Sequence, residues 1–135
     1  MTLLFTLNKP PGAVFEYLSD MQKFVSVHPV IHRISPLDDG RYRVHEKLKL
    51  GFIPYSFTYF ATLESNREAG QVRIVAIVQR ITRIEMEFFI SEKEGTTQVE
   101  EHITIRSLLP VHALLRKVFN EQHPILFKNI ESVHL

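Results

Sequence analysis

The sequence predicts an α+β domain in which a curved antiparallel sheet of seven strands wraps on one long C-terminal helix, with two short helices between the first and second strands. Three observations carry this. Apolar residues alternate with period two across residues 30–106, they recur every three to four residues from about Leu109 onward, and helix-start signals cluster between residues 8 and 22. No linker, repeat or low-complexity stretch interrupts residues 1–135, which read as a single domain.

Residues 3–7 form a short strand. Asn8 is a fair N-cap, and Pro10 and Pro11 suit the first turn of a helix running to Leu18. Ser19-Asp20-Met21-Gln22 matches a capping box that opens a second short helix. His28-Pro29 stops that helix, because proline disfavours the α conformation at the residue before it. Beyond it, turn signals at Asp38-Asp39-Gly40, Gly51-Phe52-Ile53-Pro54, residues 65–70, 79–82 and 92–95 divide the alternating region into an antiparallel meander.

Strand parity sorts the side chains onto two faces. Tyr42, Val44, Glu46, Leu48 and Leu50 share the inner face of one strand, with Arg41, Arg43, His45, Lys47 and Lys49 on its wet back. Later inner sets are Tyr55, Phe57, Tyr59, Ala61 and Leu63, then Val72, Ile74, Ala76 and Val78, then Ile84, Met86, Phe88 and Ile90. The last is Val99, Glu101, Ile103 and Ile105. Folding the hairpins at these turns places Arg41 opposite Glu64 and Glu85 opposite His102. In the final helix, Val111, Leu114, Leu115, Val118, Phe119, Ile125, Leu126, Ile130 and Val133 make the apolar stripe, and Pro124 predicts a kink.

Composition narrows the function. Sixteen basic against 15 acidic residues give a net charge of +1, so no global field favours nucleic acid or an anionic membrane. There is no cysteine, which removes thiol nucleophiles, thiolate metal sites and disulfides and makes the cytoplasm the expected location. No apolar run suits a signal peptide or stable membrane insertion. Phenylalanine outnumbers tyrosine 10 to 4 with no tryptophan, an excess of rings that offer no hydrogen bond.

A carboxylate facing an apolar interior costs several kcal/mol unless paired or solvated. Glu46 and Glu101, with Gln122 and Asn129 on the inward helix stripe, therefore indicate either a cavity holding water or ligand, or local pairing such as a Tyr59 hydroxyl on a glutamate. The loops at one end carry Phe52, Ile53, Ile81, Leu108 and Leu109, whereas those at the other are polar. The apolar end is a gate for an apolar ligand, a contact surface, or a plug for the core. The seven histidines form no metal set: His28 and His32 are four apart, but Pro29 denies them a common helical face. No nucleophile elbow, phosphate loop or dinucleotide fingerprint is present, and no cofactor is expected.

The run VFEYLSDMQKFVSVHPVIHRISPLDDGRYRV, residues 14–44, resembles the start of SRPBCC proteins, the START-like, polyketide cyclase and lipid-transport superfamily. Gly95 to Thr97 leading into the last strand, and Phe127-Lys128-Asn129-Ile130 in the long helix, extend the resemblance over essentially the whole chain. It implies a helix-grip fold around a hydrophobic cavity, and ligands such as lipids, sterols, quinones or polyketide-like rings.

The leading expectation is thus a carrier of an apolar small molecule. Tyr42, Phe57, Tyr59, Ala76, Met86, Phe88, Phe119 and Ile125 would line the pocket, Glu46, Glu101, Gln122 and Asn129 would orient a polar end, and Phe52, Ile53, Ile81 and Leu109 would gate it. The alternatives are a cyclase or dehydratase using Glu46 or Glu101 with Tyr59 as acid/base groups, and a protein-interaction module using the apolar end.

Overall fold

In a computed structural model, which describes residues 1–133 and only the backbone of Leu50, the elements run in the expected order. They are β1 (Thr2–Leu7), α1 (Pro11–Ser19), α2 (Met21–Val27), β2 (Ile31–Pro36), β3 (Tyr42–Leu50), β4 (Ile53–Asn66), β5 (Gln71–Val78), β6 (Thr82–Lys93), β7 (Thr96–Ser107) and α3 (His112–Ser132). The strands form one antiparallel sheet of order β1-β7-β6-β5-β4-β3-β2, so the first two strands occupy opposite edges and α1 and α2 bridge them.

The two short helices are joined by one residue. Asp20 closes α1 through its backbone N–H to the Glu16 carbonyl and opens α2 by accepting the Gln22 and Lys23 amides on its carboxylate. The cap is thus Asp20 and not Ser19, whose hydroxyl donates instead to the Phe15 carbonyl. Asn8 does not cap α1 either. Pro10 takes that place in extended conformation, with Pro11 beginning the helix and no side-chain cap.

The inner faces follow strand parity: Val44, Ala61, Val72, Ile74, Ala76, Phe88, Val99 and Glu101 are all buried. The Leu50 side chain, assigned to the same face, lies outside the described residues. Pairing differs in detail. The β3–β4 turn is only Gly51-Phe52, since Leu50 already pairs with Ile53; Tyr42 accordingly pairs with Ala61, so Arg41 is not opposite Glu64, whose partner is Arg73 on β5. His102 likewise pairs with Glu87, and Glu85 with Thr104. Arg73 collects both displaced carboxylates, at 3.5 Å from Glu64 and 2.7 Å from Glu85.

The last turn of β4 to β5 depends on glycine. Gly70 has φ +65°, and a Cβ there would lie 2.4 Å from the Ile90 carbonyl oxygen. That approach is fixed by the Ile90 amide donating to the Gly70 carbonyl at 2.7 Å.

Helix α3 lies across the inner face with two different halves. Leu126, Phe127 and Ile130 sink into the main core with α1, α2 and the middle of the sheet, and the Phe127 ring stacks on Phe5 at 4.1 Å. Leu115 and Phe119 reach a smaller cluster around Ala76, Ile84 and Ile103. Between the N-terminal half of the helix and the sheet the packing is incomplete, and there the cavity opens.

Candidate functional site

The cavity has a volume of about 550 Å³ and is bounded by β2 to β6, the end of α2 and the first half of α3. Its wall is mostly aliphatic and aromatic, including Leu48, Phe57, Ala76, Ile84, Met86 and Phe119. A volume of this size suits a small organic molecule. The turn of residues 79–81 and the segment before α3 also line the cavity, through Gln79, Ile81 and Leu109, and the Leu108 amide donates to the Ile81 carbonyl. Gln79 and Arg80 in this turn both have positive φ, 53° and 62°, a conformation that costs side-chain-bearing residues energy.

Glu46 and Tyr59 meet on the wall. In the β3–β4 register Glu46 pairs with Phe57, so Tyr59 is its diagonal neighbour on the same face. The Tyr59 hydroxyl donates to Glu46 Oε1 at 2.9 Å. Burial pushes the Glu46 carboxyl above its usual range, partly offset by the Tyr59 hydrogen bond and by nearby His123. Burial and the adjacent carboxyl push the Tyr59 phenol well up. A bulge in β2 between Ile31 and Arg33 sits beside this pair, Ile31 being the partner of Glu46.

Two histidines complete the polar side. His28 caps α2, and its Nδ1 accepts the amides of Val30 and Ile31 at 3.2 and 3.0 Å. Burial, with a smaller contribution from His123, holds its pKa down at about 3, so the ring is neutral. His123, on α3, is 2% exposed and its Nδ1 lies 2.7 Å from Glu101 Oε1 on β7. Its ring packs edge-on to Phe119 at 5.0 Å. Both histidines border the cavity, with ring centres 6.3 Å apart.

Of the residues expected to line the pocket, Glu46, Phe57, Tyr59, Ala76, Met86, Phe119 and Gln122 are on its wall. Five are not. Tyr42 packs on the main core and borders a separate surface groove with Asp20 and Arg67. Phe88 is fully buried behind His123, and Glu101 is sealed behind the same ring. Ile125 is 45% exposed on the outer side of α3. Asn129 donates to the Val27 carbonyl, tying α3 to α2. Among the expected gate residues, Ile81 and Leu109 line the cavity, whereas Phe52 and Ile53 are exposed and form no part of the wall. His28 and His123 were missed as wall residues, although the i, i+4 spacing from Phe119 puts position 123 on the inward stripe. Among the described residues no three histidine, aspartate or glutamate side chains converge as a metal site, and no helix is long and apolar enough to cross a membrane.

The architecture is a helix-grip fold with an internal apolar cavity. No protein-family model matches the sequence, and no curated protein sequence matches it. Solved structures do match in shape. Ara h 8.0201 superposes with a TM-score of 0.77 at 14% identity, over 97% of this chain and 93% of that one. A START superfamily protein from Mycobacterium smegmatis gives 0.76 at 16% identity over the same shares. The Zhui aromatase/cyclase from Streptomyces sp. R1128 gives 0.68 at 11% identity, over 97% of this chain and 90% of that one. The resemblance read from residues 14–44 is borne out at the level of the fold.

Proposed function

We propose that the chain binds and carries an apolar small molecule, such as a lipid, a quinone or a polyketide-like ring, in the cavity under α3. The observation that carries this reading is the cavity itself: about 550 Å³ of space with a mostly apolar wall and a few polar groups. Solid cores close to near-crystalline density, and space of this size left open needs a use. The like-folded START superfamily protein and aromatase/cyclase are consistent with it. We place this activity in the cytoplasm, in keeping with a chain that has no cysteine. Native mass spectrometry of the protein after incubation with lipophilic extracts tests the reading: a bound small molecule is expected. Val78→Phe, which fills space in the wall, is expected to abolish it. An empty wild-type protein under all loading conditions would overturn the proposal.

A second reading, a cyclase- or dehydratase-type enzyme, is favoured by one observation. Glu46 is a cavity carboxyl with a raised pKa, bonded to a phenol and not to backbone. A carboxyl raised in this way by burial, beside a phenol, is the kind of group that serves as a general acid or base. Glu46→Gln discriminates the two readings: it would abolish turnover in an enzyme and leave a carrier loading normally.

A further inference from the structure

His28 and His123 present opposite hydrogen-bonding characters to one cavity. Among the described residues the only sealed side-chain polar atom without a partner is Glu101 Oε2. Among the described residues neither histidine has a partner at Nε2, so neither Nε2 is sealed, and the open space beside these two cavity-lining rings is the cavity.

Their tautomers follow from what binds Nδ1. His28 Nδ1 accepts two backbone amides and so carries no hydrogen. In a neutral ring the hydrogen is then on Nε2, which is a donor. His123 Nδ1 faces the Glu101 carboxylate at 2.7 Å. A neutral ring that gives its Nδ1 hydrogen to this carboxylate keeps its lone pair on Nε2. The carboxylate behind the ring strengthens that lone pair as an acceptor, as carboxylate–histidine pairs do elsewhere.

One donor and one acceptor side by side match a hydroxyl, which can do both. We infer that the cavity selects an apolar molecule bearing a hydroxyl, with His123 Nε2 accepting the hydroxyl hydrogen, His28 Nε2–H donating to its oxygen, and Glu101 positioning His123. The Glu46–Tyr59 pair is a weaker anchor, since the Tyr59 hydrogen is already spent on Glu46. This inference rests on the reading of the cavity as an apolar-ligand site.

Titration calorimetry of the full chain with 2-naphthol and with 2-methylnaphthalene tests it. The two probes match in size, and transfer of an unpartnered hydroxyl into an apolar site is unfavourable. Without the histidine pair the naphthol would therefore bind more weakly. With it, naphthol is expected to bind about tenfold tighter or better, the scale of one well-made hydrogen bond. Replacing His123 alone strands a buried carboxylate, so the variant pair is His123→Phe with Glu101→Leu, which should reduce the ratio to one or below while methylnaphthalene still binds. Equal or weaker naphthol binding, or a preference that survives the double variant, overturns the assignment and leaves the apolar site standing. Binding of neither probe overturns both.

Discussion

The Tyr59 hydroxyl donates to Glu46 Oε1 across a diagonal of the β3–β4 pair, at 2.9 Å and on the cavity wall. The bond holds down a carboxyl that burial alone would push further up. Tyr59→Phe is therefore expected to raise the Glu46 pKa and to cost about 1–3 kcal/mol, the usual penalty for leaving a buried partner unsatisfied. Carbon-13 carboxyl NMR titration checks the direction, and a downward or absent shift would refute it.

Acid stability should depend on His28. Its folded pKa lies near 3 against an ordinary 6.5, so between those values the unfolded chain binds a proton that the folded chain does not. Stability then falls as pH drops below 6.5, by up to about 1.4 kcal/mol per pH unit from this group. Glu46, with its raised pKa, opposes this above the ordinary carboxyl range. His28→Asn keeps a short acceptor near the Val30 and Ile31 amides without titrating. Denaturant melts across pH should show a flatter acid limb in that variant; identical limbs would exclude His28 as the cause.

Two glycines should respond oppositely to alanine. At Gly70 the new Cβ would press on the Ile90 carbonyl in a left-handed backbone, and a loss of more than about 2 kcal/mol is expected. At Gly12, in the first turns of α1, nothing lies within 4 Å of the added carbon. Gly12→Ala should be neutral or stabilising by about 0.5–1 kcal/mol. Thermal denaturation separates the two.

Neighbouring residues of α3 should likewise diverge. Leu126 is fully buried and Ile125 is 45% exposed. Leu126→Ala should cost about 2–5 kcal/mol and Ile125→Ala less than about 1. Similar costs for both would mean that the helix is rotated from the orientation described.

That same rotation explains what the sequence hid. Strand faces were legible because a one-sided sheet forces period two, and even Glu101 was assigned inward correctly. Its partner was not found, because His123 is 22 residues away on another element and a helix stripe is broad enough to admit Gln122, Ile125 or Asn129 equally well. Hairpin partners were misplaced for a related reason. Gly51-Phe52 is a complete two-residue turn, and the apolar tip Phe52-Ile53 followed by Pro54 reads as a longer loop. Parity survives such an error, since a shift of the pairing by two residues keeps every side chain on its own face.

The sheet order has a consequence for synthesis. Thr2 in β1 pairs with His102 in β7, so β1 leaves the ribosome well before the strand it pairs with. At ordinary elongation rates the interval is roughly 5–20 s. During that time Leu3, Phe5 and Leu7 have no β7 to pair with, and the meander from β2 to β6 has room to assemble first. The edge strand is then added as the closing step, which leaves β1 exposed to aggregation or to a chaperone in the interval.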